Sequence, residues 1–557
     1  MMTKHSELDD DEHEQIRDRL KQERMIKSAF TNGDGPWTVV YDDWHLDNEN
    51  NGGRYMAFAQ PRMRNKILSD AGWDFTKGDG FPGFATSGGE ISYTRSNKLP
   101  DFEPLVIFHQ FHGVVPDAWI VSEEFILLMN LWQDPKSGNY YEVKNDGSTD
   151  LAIRFQDDRI EVRTPILKRY MAARQLDAVL LVDSVTFMPC NENSSKFSDL
   201  EFEGHSNIDL LFASLNVGQI SGEERRVFSR VLAKRIIPAP PQDTCGIWPW
   251  DEADPADYPE FIIGEDDHGK PVKYTCDPDR LANYFGKNPD APPYLTPVFF
   301  KREALQRYYD DSELYTVSDG YLSCSHLWGV KIDNEFFDVI SVFLGDIGRD
   351  IPSEHWTHWL SYNVPPTQKM SEVAFRRAFL NQPTNSKNPE HCFKLAYNQL
   401  QSSWDKHWGW RLHRKAEGPD AGVLQRLRIP VNDTDAELRT QSINLALVLV
   451  DYLNEKKLAS YLSDVKGDKG IAKLKKFLTA QSYQHTERDV RLLQRIQRMR
   501  SRIAAHSSGS SGQAYLEEEL GNDTPQEYIA RLITEATQML VDLRAFAEEQ
   551  SRQDSDS

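Results

Sequence analysis

A short stretch near the C-terminus combines fixed positive charges with a histidine. Arg498, Arg500 and Arg502 precede His506, and serine and glycine residues follow it. A histidine titrates near physiological pH, and its neutral imidazole can accept the proton of a ribose 2′-hydroxyl. Guanidinium groups can bind a phosphodiester and stabilise the charge of its transition state. These residue types indicate RNA cleavage by attack of the 2′-oxygen, a reaction that needs neither a metal ion nor another cofactor.

The residues before His506 have the periodicity of an amphipathic helix. The apolar side chains recur at helical spacing and predict one face that packs into a bundle, formed by Leu492, Ile496, Met499 and Ile503. Arg495, Arg498 and Arg502 flank this face, and Arg500 lies farther round the helix.

Three further helices are predicted close to this one. A long helix over 435–462 has Thr434 as its N-cap, a second covers 470–481, and a third covers 525–549 with Thr524 as its cap. Four helices joined by short loops predict an antiparallel helical bundle over residues 431–550.

The bundle and its motif resemble the HEPN superfamily of ribonucleases. That family has an arginine, a polar residue, and a histidine four to six positions after the arginine, late in a four-helix bundle. Arg500, Ser501 and His506 match this pattern, although the polar position is often asparagine in the family. The resemblance implies a homodimer or higher even oligomer whose paired sites form one groove. It also implies a toxin or antiphage effector, or a non-catalytic module that binds nucleotides or partners.

The resemblance assigns roles to the basic residues. His506 is expected to be the general base and Arg500 the phosphate stabiliser. The expected RNA contacts are Arg495, Arg498, Ser501 and Arg502. Arg502 is an alternative partner for His506, because it lies four positions earlier and shares its helical face. In a purely structural alternative, the arginines are a solvated face and His506 interacts with the helix dipole.

Two acidic residues are candidates for a supporting role. Asp451 and Glu455 are expected one turn apart on the first bundle helix, where they could orient the arginine and histidine. The alternative is an acidic surface pair balanced by Lys456 and Lys457.

A second constellation of carboxylates lies upstream. Asp333 and Glu335 are predicted on one strand face, and Asp346 on the turn that follows the strand pair. Clustered carboxylates can hold Mg²⁺, so a metal-dependent nuclease is a second alternative function. A structural turn explains the same residues without a metal.

The remaining sequence predicts an α+β multidomain protein. We expect a charged N-terminal segment (1–30), a mixed α/β sensor or scaffold domain (31–237) and a proline-rich connector (238–300). A strand pair with a tryptophan-rich helical region (301–430) precedes the bundle (431–550) and a short tail (551–557). Residues 298–310 are predicted to be helical. A trigger, derived from phage or another protein, is expected to act on the N-terminal region.

Composition narrows the class of protein. The chain has 557 residues, a net charge of −22 and 39% hydrophobic residues, which is typical of a globular protein. No apolar run reaches the roughly 18 residues of a membrane helix, and the acidic start is unlike a secretory signal. Five widely spaced cysteines favour free thiols, so we predict a cytoplasmic protein.

The charge is unevenly distributed along the C-terminal region. Residues 456–502 contain 13 basic and 4 acidic residues, whereas residues 503–557 contain 3 basic and 11 acidic residues. The overall negative charge argues against a protein that coats nucleic acid, but the basic stretch is compatible with a local RNA site.

Overall fold

The computed structural model describes residues 10–46, 49–77, 79–96, 102–220, 225–248, 257–463, 467–505 and 518–556. The chain forms two compact units, one comprising Met1–Lys144 and Ser148–Pro255 and the other comprising Asn145–Gly147 and Ala256–Ser557. The boundary at 255–256 falls inside the segment expected to be a proline-rich connector. The predicted mixed α and β character is confirmed, with strands concentrated in the first unit and helices towards the C-terminus.

The first unit is built around one antiparallel sheet. The strands of the whole unit are β1 (Trp37–Leu46), β2 (Asn50–Ala59), β3 (Phe81–Ser87), β4 (Glu90–Ser96), β5 (Phe102–Pro104), β6 (Val106–His109), β7 (Ala118–Val121), β8 (Leu131–Gln133), β9 (Tyr140–Val143), β10 (Thr149–Gln156), β11 (Arg159–Arg163), β12 (Asp177–Pro189), β13 (Phe202–Ser206), β14 (Leu211–Ile220) and β15 (Arg226–Ile237). Ten of them follow the order β13-β14-β15-β12-β2-β1-β11-β10-β9-β8, and β5 also pairs with β2. Strands β3–β4 and β6–β7 form two separate hairpins.

Short helices cover this sheet. They are α1 (Asp10–Leu20), α2 (Glu23–Thr31), α3 (Arg64–Ser69), α4 (Glu123–Leu128) and α5 (Thr164–Arg174). Ser122 is the N-cap of α4, because its side chain accepts a hydrogen bond from the Phe125 amide. The charged N-terminal segment contributes Ile16 and Leu20 to a small core with Phe197.

The second unit begins with three small sheets. Its strands are β16 (Glu260–Glu265), β17 (Pro271–Thr275), β18 (Pro297–Lys301), β19 (Tyr315–Ser318), β20 (Tyr321–Cys324), β21 (Trp328–Lys331), β22 (Val339–Phe343) and β23 (Asn363–Val364). They pair as β16-β17, β22-β18-β23 and β19-β20-β21. The helices among and after them are α6 (Gln306–Asp310), α7 (Leu344–Asp350), α8 (Ser353–Ser361) and α9 (Glu372–Phe379).

Two local predictions in this region are wrong. Residues 298–310 are not one helix, because Val298, Phe299 and Phe300 lie in β18, which is buried between β22 and β23. β-branched and aromatic side chains suit such a strand, and the helical residues after them form only short segments. Asp346 is not on a turn but in helix α7, and residues Leu344 and Ile347 bury this helix in the core.

The C-terminal helices share a single hydrophobic core. They are α10 (Pro389–Trp408), α11 (Val423–Arg426), α12 (Asp435–Ala446), α13 (Glu455–Ser460), α14 (Gly470–Ala480), α15 (Thr486–Ala505) and α16 (Pro525–Asp556). Phe393, Leu400 and Trp404 of α10 belong to this core, which therefore begins before the predicted boundary at residue 431. Thr524 caps α16 in exchange with Glu527, as the sequence predicts.

The predicted helix over 435–462 is interrupted. Helix α12 continues as one π-helical turn over Leu447–Asp451, and α13 begins only at Glu455. The Tyr452 amide donates to the Leu447 carbonyl five residues earlier, which is the hydrogen bond of a π turn. Asn454 caps α13 by accepting from the Lys457 amide. Among the described residues no helix is long and apolar enough to cross a membrane.

A buried ionic network joins the strand-rich part of the second unit to α10. Glu390 is 1% exposed and accepts hydrogen bonds from Arg302 (2.9 Å), Tyr309 (3.0 Å) and Lys394 (2.8 Å). Arg302 is fully buried and also donates to the Phe336 carbonyl at 2.6 Å. Because each charge has partners, the network can be buried without leaving a lone ion in the core.

Candidate functional site

A polar cleft lies beside the C-terminal end of α15. It has a volume of about 740 Å³, and its lining consists of Arg414, Lys415, Glu417, Asp420, Leu447, Asp451, Tyr452 and Arg500. Three positive and three negative side chains therefore face the same space. Such a surface can exchange its internal ion pairs for contacts with a charged ligand.

The ion pair between Arg500 and Asp451 is the centre of this cleft. The Arg500 guanidinium donates to the Asp451 carboxylate, and the two side chains are 37% and 27% exposed. Burial raises the pKa of Asp451, while the positive charge of Arg500 acts in the opposite direction. The pair is accessible to solvent, so a phosphate oxygen can approach Arg500 without unfolding the site.

The break in the first bundle helix positions Asp451. The π turn ends at Asp451, and the chain then pairs with the segment before the cleft: the Arg414 amide donates to the Tyr452 carbonyl at 2.7 Å. His413 anchors this segment, because its ring contacts Gln401 at 2.8 Å and the Leu449 carbonyl at 3.2 Å. The π turn is a frequent feature of functional sites in helices.

The wall of the cleft carries an aromatic side chain between charges. The Tyr452 hydroxyl donates to Asp420 at 2.9 Å, and the Arg414 guanidinium lies 5.4 Å from the centre of the Tyr452 ring. Arg414, Lys415, Asp420 and Tyr452 were missed by sequence reasoning. They lie 48 to 86 positions before Arg500 in the chain, and only the basic run 411–415 hinted at them.

The other predicted RNA contacts lie elsewhere on α15. Arg495 pairs with Glu519 at 2.5 Å and Glu535 at 3.4 Å, and so faces α16 and the short helical segment 518–520. Arg498 and Arg502 are exposed, and their spacing from Arg495 places them on its side of the helix. The structure therefore does not bring Arg495 together with Arg500.

Ser501 and His506 complete the predicted motif. Ser501 is exposed, and its hydroxyl donates to the Gln497 carbonyl one turn earlier at 2.9 Å. His506 lies outside the described residues and follows directly in sequence after Ala505, the last residue of α15. Of the predicted apolar face, Leu492, Ile496 and Met499 are buried in the helical core.

The expectation for Glu455 is wrong. Asp451 and Glu455 do not lie one turn apart on one helix, because the chain breaks between them at residues 452–454. Glu455 begins α13 and pairs with Lys473 of α14 at 2.7 Å. Only Asp451 of the two acidic residues contacts the predicted catalytic arginine.

The upstream carboxylates have separate surroundings. Asp333 accepts from the Ser371 amide at 2.7 Å, Glu335 accepts from Ser386 and the Lys387 amide, and Asp346 contacts Tyr294 and Arg349. In the part of the chain that the structure describes, no group of three or more histidine, cysteine, aspartate or glutamate side chains is arranged to hold a metal ion. The five cysteines, all within that part, are free thiols.

Comparison of the chain with protein-family models, with curated proteins and with solved structures finds no match in any of the three.

Proposed function

We propose that the helical part of this protein is a metal-independent endoribonuclease of the HEPN type. Arg500 stabilises the phosphate and His506 is the general base. The observation that carries the proposal is the position of Arg500: it is half-exposed, held by Asp451 and facing a charged cleft, six residues before His506 in sequence.

The reaction follows from these two groups. The imidazole of His506 accepts the proton of a ribose 2′-hydroxyl, and the 2′-oxygen attacks the adjacent phosphorus. The bond to the 5′-oxygen breaks, the departing 5′-oxygen takes up a proton from solvent, and the products are a 2′,3′-cyclic phosphate and a 5′-hydroxyl. Arg500 exchanges the Asp451 carboxylate for the phosphate oxygens and stabilises the charge that develops on them.

The neighbouring cations extend the RNA site. Arg414 and Lys415 line the same cleft as Arg500 and are assigned to phosphates that flank the cleaved one. Arg498, Ser501 and Arg502 are accessible on the outer surface of α15 and are kept as RNA contacts. Arg495 is assigned instead to the contact with Glu519, where its charge is already balanced.

The biological role follows from the resemblance to HEPN effectors. We infer a toxin-type or antiphage ribonuclease that pairs into a homodimer, with a trigger that acts through the N-terminal region. Restraint is needed for such an activity, because uncontrolled cleavage of RNA would harm the cell that makes the protein.

One observation favours a second function, a non-catalytic scaffold or nucleotide-binding module. The cleft is balanced in charge, and Arg500 already has a carboxylate partner in Asp451. A ligand must compete with this carboxylate, which weakens RNA binding relative to a purely basic groove.

The decisive experiment is an RNA-cleavage assay with the full chain in EDTA. Wild type, Arg500→Ala and His506→Ala are compared, and Arg491→Ala, an exposed arginine on the same helix, is the matched control. Loss of one charge-stabilising donor is expected to reduce cleavage by about 100-fold or more. The control should cleave like wild type.

Each other outcome has a defined meaning. Cleavage that disappears in EDTA would support the metal-dependent alternative. Cleavage that persists in Arg500→Ala and His506→Ala would refute the proposed site. Two results together would favour the scaffold. Light scattering would show intact dimers that do not cleave RNA, and in the presence of phage cells would grow equally with wild type and with the Arg500→Ala/His506→Ala double variant.

A further inference from the structure

A second cavity lies in the strand-rich part of the same unit, under α9. It has a volume of about 340 Å³, which is at the small end of the range of ligand pockets, roughly 300–1,000 Å³. Its apolar walls come from β22 and α9 and from the residues beside them, including Ile332, Phe343, Met370, Val373 and Ala374. These walls suit a compact apolar body, and the charged and polar side chains of the lining can orient a ligand.

A buried carboxylate, Asp333, is part of the lining of this cavity. Asp333 is 5% exposed and accepts hydrogen bonds from the backbone amides of Ser371 at 2.7 Å and Glu335 at 3.5 Å. Among the described residues no lysine, arginine or histidine lies within 4.0 Å of its oxygens. The negative charge of Asp333 therefore has dipolar partners but no cation.

Neither cation of the lining pairs directly with Asp333. Arg377 donates to both oxygens of Asp319, at 2.6 and 2.8 Å, and its positive charge acts on Asp333 only from beyond ion-pair distance. Lys331 is exposed, so solvent screens its charge. With Glu335 included, three carboxylates and two cations line the cavity, so its lining carries an excess of negative charge.

We propose that this cavity binds a small organic cation, a primary amine or amidine attached to an apolar body. The cationic group donates charge-assisted hydrogen bonds to the Asp333 carboxylate, and the apolar body packs against Phe343, Met370 and Val373. The ligand supplies a cation in direct contact with Asp333, which none of the described residues provides within 4.0 Å.

The electrostatics of Asp333 agree with this assignment. Burial raises the pKa of Asp333, and the amide of Ser371 only partly opposes this effect. An ammonium group beside the carboxylate would favour its ionised form and lower that pKa. The proposal uses neither Arg500 nor His506, so its success or failure is independent of the ribonuclease assay.

The test measures the binding of matched amines and alcohols to the full chain by isothermal titration calorimetry. Cyclohexylamine, benzylamine and phenethylamine are the probes, and cyclohexanol, benzyl alcohol and phenethyl alcohol are their neutral counterparts. At neutral pH at least one amine should bind about 10-fold or more tightly than its alcohol, the scale of a hydrogen bond to a charged group.

Two variants locate the effect. Asp333→Asn keeps an oxygen for the Ser371 amide but removes the charge, and the preference for amine over alcohol should disappear. Ala374→Phe fills the cavity from α9 and should abolish binding of every probe. Asp489→Asn, a buried carboxylate that pairs with Arg488 elsewhere in the unit, is the matched control and should bind like wild type.

The proposal is overturned by any of three results. Equal binding of amines and alcohols by wild type would remove the role of charge. A preference for amine that survives in Asp333→Asn would place the site elsewhere. Absence of binding by all three amines at millimolar concentration would show that the cavity does not accept this class of ligand.

Discussion

Two buried carboxylates in the second unit have opposite surroundings. Glu390 receives hydrogen bonds from Arg302 and Lys394, whereas Asp333 receives them from the backbone amides of Ser371 and Glu335 and from the Ser371 side chain. Burial opposes ionisation at both sites. At Glu390 the charges of Lys394, His391 and Arg302 outweigh burial and lower the pKa to about 2, whereas burial prevails at Asp333 and raises its pKa.

The comparison separates a structural charge from a charge available to a ligand. A carboxylate with several internal cations stabilises the fold and has no need of a further partner. A carboxylate without an internal cation gains free energy when a ligand supplies one. Asp451 lies between these cases, because it has one cationic partner, Arg500, and both side chains are partly exposed.

The largest expected effect is loss of stability in Glu390→Gln. This variant leaves the fully buried Arg302 without its carboxylate and should lower the free energy of unfolding by about 3–5 kcal/mol. The change is measured by unfolding the protein in guanidinium chloride and monitoring tryptophan fluorescence. Glu487→Gln is the control: Glu487 pairs with Lys475 on the surface, where solvent screens the pair, so its loss should leave the unfolding midpoint unchanged. Equal losses of stability in Glu390→Gln and Glu487→Gln would contradict the structural role assigned to the buried carboxylate.

The pH dependence of stability should also show the contribution of ionised Glu390. The pKa of Glu390 is about 2 when folded and 4.5 in an unperturbed chain, so its ionised form stabilises the folded state above about pH 4.5. That contribution is lost as the pH falls from about 4.5 towards 2. As the pH falls between these values, the melting temperature of wild type should fall more than that of Glu390→Gln. Parallel curves of melting temperature against pH would show that Glu390 is not responsible.

A smaller effect is expected for Asp451→Asn. Its partly exposed pair with Arg500 should contribute about 0.2–1 kcal/mol, because solvent screens such pairs. The same guanidinium titration measures it. A loss as large as that of Glu390→Gln would mean that Arg500 is a structural residue and is not free to exchange partners with RNA.

The smallest effect on stability is expected for Asp333→Asn. Asparagine keeps the acceptor for the Ser371 amide and removes a charge that burial disfavours, so the free energy of unfolding at neutral pH should change by no more than about 0.5 kcal/mol. A strong loss of stability would reveal a structural partner for this charge and would weaken the comparison with Glu390.

Local sequence signals predicted much of the secondary structure. The caps at Thr434 and Thr524 are as predicted. These features depend on hydrogen bonds between residues a few positions apart. The strand β18 and the broken helix after Ala446 were not predicted, because their conformations depend on pairing with β22 and with residues 412–414.

In the candidate sites, too, some features follow from the local sequence and others from the tertiary structure. The spacing of Arg500 and His506, the amphipathic face of α15 and the basic character of residues 456–502 follow from the sequence alone, since they are properties of one helix and its neighbours in the chain. The pairing of Arg500 with Asp451, the separation of Arg495 from both, and the lack of a described cation within 4.0 Å of Asp333 were decided only by the tertiary structure. Long-range packing determines which charges meet and which remain without a partner, and no local pattern encodes that choice.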